Sequence, residues 1–144
     1  MASKPETTFY QSVHRHLPPE SKLHREKMAN PYRGGTFDHW YDGPGRDLWI
    51  EWKFIVVPKR PDTVIDLVTP RGKKMESPLS ALQQAWGRDR HNNGRDVWVV
   101  VGCAEGGVIY EGLEWETAVT AADFRVYMKT RKQIAERITQ HVLP

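Results

Sequence analysis

Asp47-Leu48-Trp49-Ile50-Glu51-Trp52-Lys53-Phe54 alternates between two kinds of side chain. In an extended strand, successive side chains point to opposite faces. Leu48, Ile50, Trp52 and Phe54 then make one apolar face, suited to a core, while Asp47, Trp49, Glu51 and Lys53 share the other. Glu51 and Lys53, two residues apart, stand side by side and point the same way. A carboxylate beside an ammonium can hold a divalent cation next to a positive group aimed at a water or a phosphate. Thirteen residues before Glu51, Asp38 closes Gly35-Thr36-Phe37-Asp38 and offers a second carboxylate from what reads as the preceding strand.

Outward from this pair, residues 35–41 and 47–57 read as two strands joined through Asp42-Gly43-Pro44-Gly45, with Pro58 and Pro61 closing the second. Upstream, Phe9, Tyr10, Val13 and Leu17 at helical spacing predict a helix over 6–17, stopped by Pro18-Pro19. Residues 18–33 are polar and basic, with Asn30-Pro31 as a turn. Downstream, 63–68 predicts a third strand. Ser77-Pro78 is read as a capped helix start and Asn93-Gly94 as its end. Strands follow over 96–102 and 107–111. The first contains the continuous apolar run 97–101, which implies burial on both faces. Ile134, Ala135, Ile138 and Val142 predict a closing helix over 130–142. The order α-β-β-β-α-β-β plus a C-terminal helix implies an α/β fold, a mixed sheet flanked by helices.

At 144 residues the chain reads as one domain, 1–144, with a core over about 6–111 and a C-terminal helical extension over about 117–144. Six Trp, five Tyr and four Phe supply large apolar groups. The single cysteine, Cys103, excludes an internal disulfide and reads as a buried small hydrophobe. No apolar run approaches the ~20 residues of a membrane span, so the expected setting is soluble and cytoplasmic, without a membrane partner. The formal net charge of +3 is distributed in blocks. Residues 34–57 carry −2 and 96–124 carry −6, while 1–33, 58–95 and 125–144 carry +3, +4 and +4. An acidic pocket beside basic loops suits a cation site next to a polyanion groove.

Phosphodiester hydrolysis needs an activated water, a Lewis acid on the phosphate and charge relief for the leaving oxygen. Mg2+ suits it, because it binds through one or two carboxylates plus waters and phosphate oxygens. Asp38 and Glu51 are the candidate ligands, with the main-chain carbonyl of Trp52 as a further oxygen. Lys53 is the candidate for orienting the water or stabilising the phosphate. The plain alternative is a Glu51–Lys53 salt bridge, since Glu-x-Lys alone is a weak signal. Leu79, Leu82, Gln83 and Trp86 fall at the spacing of a core-facing helical stripe. A buried amide left unpaired costs about 1–3 kcal/mol, so Gln83 is the candidate to reach the site, with Gln84 as the alternative if the phase shifts by one.

These residues resemble the PD-(D/E)XK nuclease superfamily, and within it the small VRR-NUC and phage-type endonucleases related to Holliday-junction resolvases. The likeness covers residues 6 to about 111. Gly35-Thr36-Phe37-Asp38 stands for the Gly-x-Pro-Asp element, with Phe37 where proline is usual. Glu51-Trp52-Lys53 stands for Glu-x-Lys, and Gln83 with Trp86 for the helix amide and aromatic. The resemblance implies a restriction-endonuclease-like core and a Mg2+- or Mn2+-dependent endonuclease acting on duplex or branched DNA, often as a homodimer. It also implies a first-helix acid, matched by Glu6 with Glu20 and Glu26 as rivals, and a bacterial or phage-infected cell as the setting. The rivals in function are a sequence-specific restriction or homing nuclease and a non-catalytic nucleic-acid-binding or inhibitor protein on the same fold.

Lys59, Arg60, Arg71, Lys73 and Lys74 are the candidates for phosphate contacts, against an ordinary solvated loop. Trp40, Trp49 and Tyr41 suit either base stacking or core packing. The basic helix from Lys129 to Arg137 suits DNA or a partner subunit. His14, His16 and His24 lack the further ligands and spacing of a zinc site, and His91-Asn92-Asn93 reads as a helix end.

Overall fold

The computed structural model describes residues 4–28 and 34–144; Asn30-Pro31, read above as a turn, lies outside them. The central strand is the alternating run itself. Strand β3, Leu48–Phe54, lies in the middle of a five-stranded sheet of order β1-β2-β3-β5-β6. Its neighbours are β2, His39–Asp42, which is antiparallel, and β5, Val97–Cys103, which is parallel. The edges are β1, His24–Lys27, and β6, Gly106–Glu111. A parallel pair needs a crossover, and helix α2, Ala81–Asn92, provides it between β3 and β5.

Because the sheet is covered on both sides, it has two cores. On one face helices α1, Pro5–His14, and α4, Arg131–Val142, bury Phe9, Val13, Ile134 and Ile138 against Leu48, Ile50, Trp52, Trp98 and Val100. On the other face, α2 and the short helix α3, Ala121–Tyr127, cover Val97, Val99 and Val101 together with Phe37, Leu79, Trp115 and Phe124. All seven residues of β5 are buried, as its unbroken apolar run requires.

Several expectations change. The strand expected over 63–68 shrinks to β4, Val64–Ile65, which pairs outside the main sheet with β7, Val119–Thr120. The polar stretch before the hairpin contains β1, an edge strand with no apolar alternation to reveal it. Helix α2 begins three residues later than Ser77-Pro78 suggests. Ser80 is the cap, in a reciprocal capping box with Gln83. That delay rotates the stripe: Leu82 is 61% exposed, while Gln84 and Gly87 turn inward. The helix does stop at Asn93-Gly94, where Gly94 takes φ +82°. The closing helix buries the four residues expected of it, Ile134, Ala135, Ile138 and Val142.

Candidate active site

Asp38 and Glu51 are brought together by the β2–β3 hairpin, whose register pairs His39 with Ile50 and Trp40 with Trp49. Asp38 lies just before β2, at the level where β3 has lost its β2 partner. Its Oδ2 accepts the main-chain N–H of Trp52 at 3.1 Å. The N–H and C=O of one strand residue face the same edge, so the Trp52 carbonyl also opens toward Asp38. The Trp52 indole points the other way and is fully buried beneath α1.

Glu51 is 2% exposed. Its Oε2 accepts from Gln83 Nε2 at 3.1 Å and lies 3.4 Å from Lys53 Nζ. Its Oε1 is buried without a hydrogen-bond donor. Burial, and then the charge of Asp38, push the Glu51 carboxyl up to about 8, with Lys53 only partly offsetting them. Without a cation, Glu51 therefore holds a proton at neutral pH, and in that form it can hydrogen-bond to Asp38.

The donor set has the chemistry of a hard cation site: two carboxylates in contact, one with a buried oxygen lacking a donor, and a main-chain carbonyl beside them. A divalent cation fits, because it replaces the shared proton and supplies the charge the carboxylates lack. Among the described residues no group of three or more His, Cys, Asp or Glu is arranged to hold a metal. Glu6, in the first turn of α1, accordingly does not join Asp38 and Glu51 in a three-acid cluster. Its rivals are engaged elsewhere: Glu20 lies 3.8 Å from Arg25 and Glu26 3.1 Å from His24. A divalent cation held by these two carboxylates would take its other ligands from main-chain and solvent oxygens.

Gln83 reaches the site from the first turn of α2, where its backbone N–H and side-chain oxygen also serve the cap. The close approach that puts α2 there depends on Gly35. Its φ is +95°, and a Cβ would collide with the main-chain carbonyl of Leu82. Phe37, in the position where the resembled motif has proline, is fully buried with its ring 4.8 Å from Trp86.

Lys59 and Arg60 lie exposed in the turn after β3. Arg71, Lys73 and Lys74 lie exposed on the loop between β4 and α2, which Arg71 and Glu76 close as a bridge. Sequence reasoning missed what holds that loop. The buried amide of Gln84 donates to the carbonyls of Val68 at 3.1 Å and Leu79 at 2.9 Å, clamping both ends to α2. Its neighbour Gln83 drew attention first because the expected phase faced it inward. Of the two readings of Tyr41, core packing holds: it lies on the face opposite the acids, fully buried, with its hydroxyl 2.7 Å from His14 Nε2. Trp40 and Trp49 do face the acids' side, as neighbours in the register.

No protein-family model matches the sequence, and no curated protein matches it. Among solved structures, Hjc from Archaeoglobus fulgidus, a Holliday junction resolvase, superposes with a TM-score of 0.54 at 14% identity. The match covers 91% of this chain and 98% of that one. At such identity the likeness concerns the fold, which is the restriction-endonuclease-like α/β arrangement expected above. Among the described residues no helix is long and apolar enough to cross a membrane.

Proposed function

We propose that this protein is a metal-dependent endonuclease that hydrolyses DNA phosphodiester bonds, with branched or structured DNA as its preferred substrate. The observation that carries the reading is the Asp38–Glu51 carboxylate pair, with its unpartnered buried oxygen, set beside Lys53 and beneath Gln83. A structural salt bridge would not need two carboxylates forced together at the cost of a shared proton. Such energetic cost, at an acid pair beside a lysine, is characteristic of functional sites. The resolvase-like fold supports a nuclease acting on structured DNA. The finer likeness, to the small VRR-NUC and phage-type enzymes, rests on the motif residues alone.

In this reading Asp38, Glu51 and the Trp52 carbonyl hold Mg2+ or Mn2+. When bound, the ion supplies a Lewis acid for the phosphate and lowers the pKa of a coordinated water. Lys53 places its ammonium beside the Glu51 carboxylate, where it orients the attacking water and balances charge gathering on the phosphate. Gln83 holds Glu51 Oε2 in one orientation, so the carboxylate is set before substrate arrives. Lys59, Arg60, Arg71, Lys73 and Lys74 grip flanking phosphates, which sets register without reading sequence. A homodimer would present two such sites to a junction.

The test is cleavage of a labelled four-way junction, a nicked duplex and a plain duplex, with Mg2+ or with EDTA. The reading expects Mg2+-dependent cutting, fastest on the junction, lost in both Glu51→Gln and Lys53→Ala. Tight binding without cutting in Mg2+ or Mn2+ would leave a non-catalytic binding protein.

A further inference from the structure

The six tryptophans divide into two sets. Trp52, Trp98 and Trp115 are 0–2% exposed and belong to the cores. Trp40, Trp49 and Trp86 are only half-buried, and all three line one open pocket of about 890 Å3. Core packing explains the first set fully and the second only in part: Trp49 and Trp86 rest one side on the core, and with Trp40 they leave ring surface open to the pocket.

This pocket adjoins the candidate active site. Trp49 precedes Glu51 by two residues on the same face of β3, so its ring stands ~7 Å along the strand from the carboxylate's position. Trp40 is its direct partner on β2, with ring centroids 6.2 Å apart and planes inclined at 34°. From above, Trp86 stands edge-on to Trp49 at 5.2 Å, one helical turn after Gln83. Asp47 accepts from Trp40 Nε1 at 3.2 Å and fixes that indole's plane. The acid row and the tryptophan row are thus successive rows of side chains beneath the same helix.

The rim carries three arginines against two aspartates. Arg46, Arg90 and Arg95 line the same pocket. Arg90 lies 5.7 Å over the Trp86 ring and pairs through its terminal nitrogen with Asp89, while its Nε is buried without a partner. Arg95 is exposed and makes no ion pair among the described residues. Of the two acids that line the pocket, Asp47 is engaged by Trp40 Nε1, and Asp96 by His141 at 2.9 Å and by Arg46 at 3.8 Å.

We propose that this pocket is a stacking subsite for one or two unpaired bases of a single-stranded DNA segment next to the bond that is cut. This rests on the nuclease reading of Asp38, Glu51 and Lys53. Aromatic faces stack on any base, and arginines supply the backbone contacts, so the subsite reads single-strandedness and not sequence. A paired base, already stacked between its neighbours, has no free face to offer. The pocket therefore directs the enzyme to junctions, flaps or frayed ends where a nucleotide is splayed out.

The experiment is anisotropy binding in EDTA, which needs no catalysis. The probes are a fluorescein-labelled oligothymidine of about ten nucleotides and a blunt duplex of about twenty base pairs, the lengths chosen to span a single-strand site of the usual size. Trp40→Ala is expected to weaken the oligothymidine roughly tenfold and the duplex less than twofold. Trp40→Phe is expected to retain most of the affinity. Arg95→Gln, at an exposed position, is expected to weaken the oligothymidine and flatten its salt dependence. The proposal is overturned if folded Trp40→Ala binds the oligothymidine as the native protein does, or if both probes weaken together. Should Trp40→Ala not fold, an unchanged oligothymidine affinity in Arg95→Gln overturns it. Native protein that cuts duplex DNA in Mg2+ yet does not bind the oligothymidine removes the subsite and leaves the nuclease. Oligothymidine binding that depends on Trp40, with no cutting of any substrate, keeps the stacking surface and removes the nuclease.

Discussion

Replacing Glu51 by glutamine should change how the protein's stability depends on pH, by an amount the site itself sets. In the folded state burial and Asp38 raise this carboxyl to about 8, against 4.5 in its ordinary state. Between those values the folded protein holds a proton that the unfolded chain has released, so folding becomes less favourable as pH rises. The slope is about 1.4 kcal/mol per pH unit. Over the whole window the cost reaches about 3–5 kcal/mol, a large share of the ~5–15 kcal/mol by which domains are stable. Glutamine is neutral throughout and keeps an oxygen for the Gln83 amide. Urea unfolding in EDTA at pH 5.5, 6.5 and 7.5 isolates the effect, because all other titrating groups are common to both proteins. Glu51→Gln should gain on the native protein by ~1.4 kcal/mol per unit and be the more stable of the two at pH 7.5. Parallel stability curves would refute the reasoning, because they would mean that Glu51 is ionised in the folded protein without strain.

Other consequences follow from the same contacts. Saturating Mg2+ at pH 8 should raise the melting temperature of the native protein, since binding to the folded state alone stabilises it; scanning calorimetry should show no such rise in Glu51→Gln. His14 and His39 are lowered to about 4 and about 3, chiefly by burial, with Arg25 adding to the first and His14, Lys27 and Arg25 to the second. For bases held below their unfolded value, stability is present above pH ~6.5 and is lost as pH falls toward those values. His39→Phe should therefore flatten the loss of stability between pH 6.5 and 4, as read by urea midpoints. Gly35→Ala forces a side chain onto a left-handed backbone against Leu82; thermal unfolding should show a loss of about 2–4 kcal/mol, with weaker Mg2+ binding because Asp38 and Gln83 move apart. Gln84→Ala removes the donor that ties the Val68 and Leu79 carbonyls to α2 and leaves Val68 without its side-chain partner. It should cost about 1–3 kcal/mol and speed tryptic cleavage after Arg71, Lys73 and Lys74.

What the sequence revealed depended on how strongly period and burial coincide. Strand β3 alternates except at Trp49 and β5 is apolar throughout, so both were legible, and the hairpin before β3 placed Asp38 beside Glu51. β1 was invisible because His-Arg-Glu-Lys at a sheet edge buries almost nothing. The phase of α2 was misjudged because Leu79 is fully buried while still preceding the helix. That extended the apparent stripe backward, turned Leu82 inward in the expected phase and left Gln84 as the alternative, which is the amide that α2 buries. Gln83 nonetheless meets Glu51, because in the first turn it lies at the edge of the buried face and its side chain is long enough to reach down. Tyr41 is placed by parity: Trp40 opposes Trp49, so the residue after it must face the other core. The distribution of half-buried tryptophans is a tertiary property, invisible until the hairpin and α2 are assembled.

Anomalous diffraction from crystals soaked in Mn2+ tests the central claim most directly, because it reports the ion's position independently of activity. The account predicts a peak in contact with the Asp38 and Glu51 carboxylates, absent from Glu51→Gln crystals under the same soak. A saturating soak of crystals in which no lattice neighbour covers this site, giving no peak between the carboxylates, would contradict it.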